Sequence, residues 1–235
     1  MTSINDILVV IPARGGSKGI PMKNIKLLNG KPLIQYSIEF ALTHFKKEQI
    51  IVSTDHKDIQ RVAQICGIPT PTLRPSHLAE DDSSTHDVLL NLIKQKKAEG
   101  FSFKLVLLLQ PTSPFRKSNH LKDILKLTAP NLDMVVSVKE SKSNPYFNLF
   151  EENESGNLEL SKQKDVSGRQ YAPKVFEYNG SMYLMNVNSL TRMKINEFSK
   201  VKKYVMSSLD SIDLDTQIDW DFAELMIKQN QIEID

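Results

Sequence analysis

The stretch Ile7-Leu8-Val9-Val10-Ile11-Pro12-Ala13-Arg14-Gly15-Gly16-Ser17-Lys18-Gly19-Ile20-Pro21-Met22-Lys23-Asn24 decides how this chain reads. Its first part, Ile7 to Ile11, is an unbroken apolar run, the pattern of a strand covered on both faces. Pro12 and the polar residues behind it end the run at once. It is therefore too short for a membrane span of about 20 residues, and Asp6 in front of it does not suit a signal peptide. Behind the strand come adjacent glycines, Gly15 and Gly16, and the cations Arg14, Lys18 and Lys23. Glycines let a backbone turn tightly and approach a ligand, and fixed cations around such a turn suit a polyphosphate. Each charge-assisted contact shielded from water would add roughly 1.5–3 kcal/mol. The alternative is a solvated basic turn, and the loop's place directly after a buried strand favours phosphate. The two familiar phosphate fingerprints are absent: there is no G-x-G-x-x-G, and Gly30-Lys31 is followed by Pro32 where a P-loop needs Ser or Thr.

Outward from this strand, short β-rich runs alternate with segments of helical period. Ile34, Ile38, Ala41, Leu42 and Phe45 share a helix face, Gln49 to Ser53 reads as a strand, and Ile59, Val62, Ala63 and Cys66 mark a helix stopped by Gly67 and Pro69. Val88, Leu89, Leu92 and Ile93 give a further helix. Leu105 to Leu109, stopped by Pro111 and Pro114, reads as a buried central strand. A short helix around Leu121, Ile124 and Leu125 precedes a strand at Met134 to Val138. Strands at Ser181 to Met185 and Tyr204 to Met206, then a helix bearing Ile218, Phe222, Leu225 and Met226, close the chain. The fold class expected is α/β: a three-layer α/β/α, Rossmann-like arrangement with right-handed crossovers and a largely parallel sheet. Residues 139–176 differ in texture, being polar with a hairpin-like Glu151-Glu152-Asn153-Glu154-Ser155-Gly156-Asn157. They read as an inserted lobe, a dimerisation arm or a lid, or else as a long surface loop. The expected division is a main domain of residues 1–138 and 177–235 with residues 139–176 inserted.

The chain has 235 residues, 40% hydrophobic and 25% charged, enough for one large domain or a domain carrying a small lobe. With 30 Lys+Arg against 28 Asp+Glu, no uncompensated basic face points to nucleic acid. Cys66 is the single cysteine, so neither an internal disulfide nor a multi-cysteine zinc site is available, and it reads as a small core residue in a reducing compartment. No stretch suggests a membrane span, and the expected location is the cytoplasm.

In doubly wound sheets ligands bind beyond the carboxyl ends of the strands, so function is sought just after each strand. Asp213 and Asp215 lie two apart, and in extended structure both carboxylates point to one face, opposite Leu214. Such hard oxygen ligands suit Mg²⁺ bridged to phosphates, although Asp215 could instead cap the last helix; Asp219 and Asp221 read as structural. Gln110, after the central strand, carries an amide able to donate to and accept from a sugar. Ser84, His86 and Asp87 are contiguous, an arrangement that rarely gives triad geometry, and the histidines lack zinc-like spacing.

Taken together, Ala13-Arg14-Gly15-Gly16-Ser17-Lys18-Gly19-Ile20-Pro21-Met22-Lys23-Asn24 resembles the opening motif of the acylneuraminate cytidylyltransferases, also called CMP-sialic acid synthetases. The resemblance continues through Gly30-Lys31-Pro32-Leu33-Ile34, Ser53-Thr54-Asp55, Arg74-Pro75 with Leu78-Ala79 and Leu109-Gln110-Pro111-Thr112-Ser113-Pro114-Phe115-Arg116. It then takes in Arg169-Gln170, Asn179-Gly180 with Tyr183, and Asp213-x-Asp215, in order along nearly the whole chain. It implies transfer of a cytidylyl group from CTP to the anomeric hydroxyl of a nine-carbon 2-keto sugar acid, such as N-acetylneuraminic, legionaminic or pseudaminic acid, with release of pyrophosphate.

By resemblance, Arg14, Lys18 and Lys23 hold the triphosphate, the backbone around Ala13 reads the cytosine edge, Gly15 belongs to the nucleotide site, and Asn24 positions the nucleotide. Arg74 and the Ser83 to Thr85 stretch close around base and ribose, although Arg74 could be a surface ion pair. Asp213 and Asp215 take the catalytic Mg²⁺, while Gln110, Asn179 and Tyr183 face the sugar. The lobe packs on a second subunit, and Arg169 reaches the neighbour's site. Arg116 is expected to cap its turn or pair locally. Phe147 stands where some members carry a lysine, a departure that bears on the sugar. The alternatives are another acceptor, such as 3-deoxy-manno-octulosonic acid, against which the Gly-Gly-Ser-Lys-Gly run argues, and a non-catalytic nucleotide-sugar sensor, against which the intact Lys18, Lys23, Asp213 and Asp215 argue.

Overall fold

The apolar run at Ile7 forms a strand buried on both faces, in a computed structural model that describes residues 3–17, 19–70, 72–80, 83–163 and 168–232. Along the chain come β1 (Ile7–Pro12), the short pair β2 (Leu27–Leu28) and β3 (Lys31–Pro32), α1 (Leu33–His44), β4 (Ile50–Ser53), α2 (Lys57–Ile65) and α3 (Thr85–Ala98). Then follow β5 (Leu105–Leu108), α4 (Ser118–Lys126), β6 (Met134–Glu140), β7 (Phe150–Glu152), β8 (Leu158–Leu160), β9 (Phe176–Asn186), α5 (Val187–Leu190), β10 (Val201–Val205) and α6 (Gln217–Lys228).

Alternate residues of β1 serve opposite layers. Ile7, Val9 and Ile11 pack with Ile34, Ile38 and Ala41 of α1, Ile59 and Ala63 of α2 and Leu121 and Ile124 of α4. Leu8 and Val10 pack with Val88, Leu89, Leu92 and Ile93 of α3 and with Val187 and Leu190 of α5. Each such side chain contributes roughly 1.5–3 kcal/mol when fully buried, which is why the run tolerates no polar position. A third cluster joins Leu28, Leu33, Tyr36, Phe115, Leu214, Trp220 and Ala223, seating α6 beside the first loop. Local signals set the helix ends: Ser84 accepts the Asp87 N–H ahead of α3, and Thr216 with Asp219 forms a capping box on α6. Gly67 and Gly100, at positive φ, stop α2 and α3.

The main sheet has six strands in the order β10-β6-β9-β5-β1-β4. The β1–β4, β1–β5 and β10–β6 pairs are parallel, whereas β9 runs antiparallel to both β5 and β6. The three-layer, mostly parallel α/β sheet expected from sequence is thus present, with one reversed strand. The strand read at Ser181 to Met185 is the far half of β9, and the one read at Tyr204 to Met206 starts earlier, at Val201. β6 and β9 overrun the sheet, pairing Lys139 with Glu177 and Glu140 with Phe176. Between those ends, β7 and β8 pair with each other as a hairpin turning at Gly156.

Opposite Ser137 the β6–β9 register breaks, with Val136 facing Tyr183 and Val138 facing Tyr178. Asn179, Gly180, Ser181 and Met182 therefore bow out of the ladder, and the Ser137 hydroxyl holds the bulge by accepting the Met182 N–H at 2.8 Å.

Candidate active site

A cleft of about 560 Å³ opens beyond the carboxyl ends of β1 and β5, lined by Pro12, Arg14, Gly19, Lys23, Asn24, Arg74, Ser83, Thr85, Leu108, Gln110, Thr112 and Asp215 among others. The chain reaches this position because β4 lies on one side of β1 and β5 on the other, so the connections diverge and leave a crevice.

The first loop is held from several directions. Gly15 donates its N–H to Asp55 Oδ1 at 2.8 Å, and a Cβ there would sit 2.8 Å from His56 Cδ2. Asn24, nearly buried, donates its amide to the Arg14 carbonyl at 2.9 Å, tying the two ends of the loop together. Ala13 is 1% exposed, its N–H is bonded to the Ser53 carbonyl at 2.8 Å, and it lies in the core under the cleft. Its N–H, like that of Gly15, completes the hydrogen bonding of the strand-to-loop junction, so any reading of a base by this backbone would fall to a carbonyl oxygen. Lys18 lies outside the described residues.

The acidic segment meets this loop directly. Lys23 Nζ lies 2.8 Å from Asp215 Oδ1, with the lysine buried and the carboxylate mostly exposed. Gly19 has no room for a Cβ, which would run into the Asp215 carbonyl oxygen. Leu214 is fully buried and its N–H is held by the Thr112 carbonyl at 2.8 Å; Asp215 after it is exposed to the cleft, whereas Asp213 before it is half-buried and accepts from Ser113 Oγ at 3.4 Å. Helix α6 is capped by Thr216, which leaves Asp215 unused as a cap, while Asp219 and Asp221 are engaged by Thr216 and Gln217. Burial pushes the Asp213 carboxyl above the usual range and the Asp215 charge adds to this; hydroxyls of Thr112 and Ser113 pull it back.

Arg74 forms the other wall. Its guanidinium donates to Ser53 Oγ at 3.0 Å and to the Ser53 carbonyl at 2.6 Å, so it is braced on β4 rather than paired at the surface. Burial lowers its pKa, Asp55 opposes that and Arg14 reinforces it. Ser83 donates to the His77 carbonyl at 3.0 Å, and Thr85 begins α3; both line the cleft. Ser84 and Asp87 are engaged with each other as a helix cap rather than as members of a triad.

On the third side, Gln110 lines the cleft and faces the bulge of β9. A Cβ on Gly180, which has φ +73°, would meet Gln110 Oε1 at 2.8 Å and the Ser113 hydroxyl, so only glycine fits there. Asn179, expected against the sugar, is 2% exposed. Its Oδ1 accepts from Ser137 Oγ at 2.6 Å and from the Ser181 N–H at 3.2 Å, and its Nδ2 donates to Ser211 Oγ at 2.9 Å. The amide is fully engaged inside the protein and shapes the bulge. Tyr183 is partly buried and stacks edge-on with Tyr178 at 5.8 Å; burial, then Asp213, pushes its phenol up to about 12. The side chain of Arg169 lies outside what the structure describes. Thr112 and Ser113, which hold Asp213, belong to a motif visible in the sequence, but nothing in their residue type announces that duty.

Fold and cleft together define a nucleotidyltransferase of the α/β class. The cytidylyltransferase family model matches residues 8–232, and the chain belongs to that family. It is 35% identical to CMP-N,N'-diacetyllegionaminic acid synthase of Legionella pneumophila over 96% of this chain and 97% of that protein. It is 33% identical to N-acylneuraminate cytidylyltransferase of Escherichia coli over 97% of this chain, which spans 54% of that longer protein. A CMP:2-keto-3-deoxy-manno-octonic acid synthetase solved with CTP shares the fold at a TM-score of 0.69 and 16% identity, over 95% of this chain and 99% of that one.

Proposed function

We propose that this enzyme transfers the cytidylyl group of CTP to the anomeric hydroxyl of a nine-carbon 2-keto sugar acid, of the N-acetylneuraminic, legionaminic or pseudaminic kind. The observation that carries the reading is the meeting of a cationic loop and an acidic segment in one cleft, with Lys23 Nζ 2.8 Å from Asp215 Oδ1. Relatives named for this chemistry, one of them matched over nearly its whole length, support it. The anomeric oxygen bonds to the α-phosphorus, the bond from that phosphorus to the β-phosphate oxygen breaks, pyrophosphate leaves and the hydroxyl proton passes to water. Such transfer depends on position and charge compensation more than on covalent help. Arg14 and Lys23 offer the positive charge, with Lys18 on the same loop. Arg74, Ser83 and Thr85 form the wall suited to base and ribose, and the Gln110 amide suits a sugar hydroxyl or carboxylate.

Asp213 and Asp215 suit a magnesium ion in donor type, both being hard oxygen ligands; Asp215 lines the cleft, while Asp213 lies half-buried against Thr112 and Ser113. Among the described residues no group of three metal-ligating side chains forms, so phosphate oxygens and water would complete the shell. Bound there, Mg²⁺ would neutralise triphosphate charge and lower the pKa of the attacking hydroxyl.

A second copy of the chain completes the proposal. Phe147, Leu149, Phe150, Leu158 and Tyr171 of the 139–176 segment are exposed, with Tyr178 at its base, an apolar surface that suits a homodimer in which Arg169 serves the neighbouring site. No helix among the described residues is long and apolar enough to cross a membrane, and a CTP-consuming reaction suits the cytoplasm.

Purified protein incubated with CTP, Mg²⁺ and a panel of 2-keto sugar acids is expected to release pyrophosphate with at least one nine-carbon acid. Failure with every one of them would sink the proposal.

A further inference from the structure

Arg116 is fully buried yet belongs to no ion pair among the described residues. Its three hydrogen bonds run to three separate parts of the fold. Nε donates to the Ser181 carbonyl in the β9 bulge at 2.9 Å, Nη1 donates to Ser37 Oγ on α1 at 2.9 Å, and Nη2 donates to the Gln110 carbonyl. The Ser181 hydroxyl has no partner of its own, so that residue is tied to the guanidinium only through its backbone. A guanidinium is a rigid planar fork, and holding one unpaired in the interior is costly. Lysine could not reach the same partners from a single ammonium. What the fork joins is informative: the strand end that carries Gln110 and the bulge that carries Gly180, the two pieces whose close approach leaves space for the Gln110 side chain.

We infer that Arg116 is a positioning residue for the acceptor sugar, acting by locking the Gln110 backbone and the β9 bulge onto α1 so that the Gln110 amide is presented to the cleft. This rests on the reading of Gln110 as an acceptor contact. It goes beyond a local turn cap, because Ser37 and Ser181 lie far from Arg116 in sequence. Burial lowers the Arg116 pKa to about 9, and the Asp213 charge opposes that.

Ser37 is 0% exposed, is not among the residues lining the cleft, and accepts from Arg116 through its hydroxyl, which makes it a probe of the clamp. Arg116→Lys, Ser37→Ala and the double variant are compared with wild type for KM of the sugar acid, KM of CTP, kcat and thermal unfolding. Both single variants are expected to raise the acceptor KM, by on the order of tenfold for Arg116→Lys, since small misplacements of a contact are strongly felt, while KM for CTP stays within about twofold. The double variant should be no worse than Arg116→Lys alone, because Ser37 acts through the residue already changed. Equal shifts in the two KM values, no shift, or multiplying effects in the double variant would overturn the inference. Should Arg116→Lys fail to fold, Ser37→Ala alone decides by the same KM split. Absence of wild-type turnover with any nine-carbon acid removes the proposed function and this inference together, whereas wild-type turnover without the split removes the inference alone.

Discussion

Gly19 shows how much of the site depends on a missing atom. Its backbone lies against the Asp215 carbonyl, so any side chain would push the first loop off the acidic segment that Lys23 contacts at 2.8 Å. Since displacements of about 1 Å at a reacting centre can cost on the order of 100-fold in rate, Gly19→Ala should lower turnover by about that factor. Ile20 beside Gly19 and Leu214 beside Asp215 pack in one buried cluster, so the unfolding temperature should fall as well; a variant with near-wild-type turnover would show that the two segments need not touch. At this scale the sequence was a partial guide. Asp213 and Asp215 flank a buried Leu214 as their spacing implied, because alternation in an extended segment is a local property. Asn179 was misleading, since a carboxamide serves a ligand and the protein's own frame equally well, and only the surrounding partners decide between them.

The bulge in β9 is the element on which the acceptor side rests. Asn179 satisfies Ser137, Ser211 and the Ser181 N–H at once, and unpaired buried polar groups cost about 1–3 kcal/mol each. Asn179→Ala should therefore destabilise the protein by about 2–4 kcal/mol, seen as a lower urea midpoint, through loss of these bonds. A change in acceptor KM with no change in the midpoint would return Asn179 to direct sugar binding. Helices α1 to α4 and α6 and strands β1, β4, β5 and β6 were legible, their apolar periods and glycine or proline stops being short-range signals, whereas the one-turn α5 was not. The reversed direction of β9 was not. A strand's apolar pattern is the same read toward either neighbour, and direction is set by how the chain returns from the lobe.

At the scale of the whole molecule, the proposed shared site has a direct test in mixed dimers. An Arg169→Ala chain and an Asp215→Ala chain, each inactive alone, should regain part of the activity when unfolded and refolded together, because a mixed dimer holds one site built from two unaltered contributions. Light scattering would report the dimer; recovery absent from a confirmed mixed dimer would confine each site to one chain. The exposed apolar residues of the 139–176 segment, including Phe150 and Leu158, make a dimer through this surface the expected state. Near-neutral composition concealed a charged cleft, lined by Arg14, Lys23 and Arg74 and by Asp215, which Lys23 contacts. By itself the sequence determined the α/β layering, the phosphate-suited loop after β1 and the paired carboxylates, because periodicity, turn chemistry and two-residue spacing act over a few neighbouring residues. Only the tertiary structure decided that β9 runs backwards, that Asn179 and Arg116 work behind the cleft, and that Lys23 meets Asp215. These depend on contacts between segments far apart in the chain, whose partners become defined only when the sheet and its layers pack.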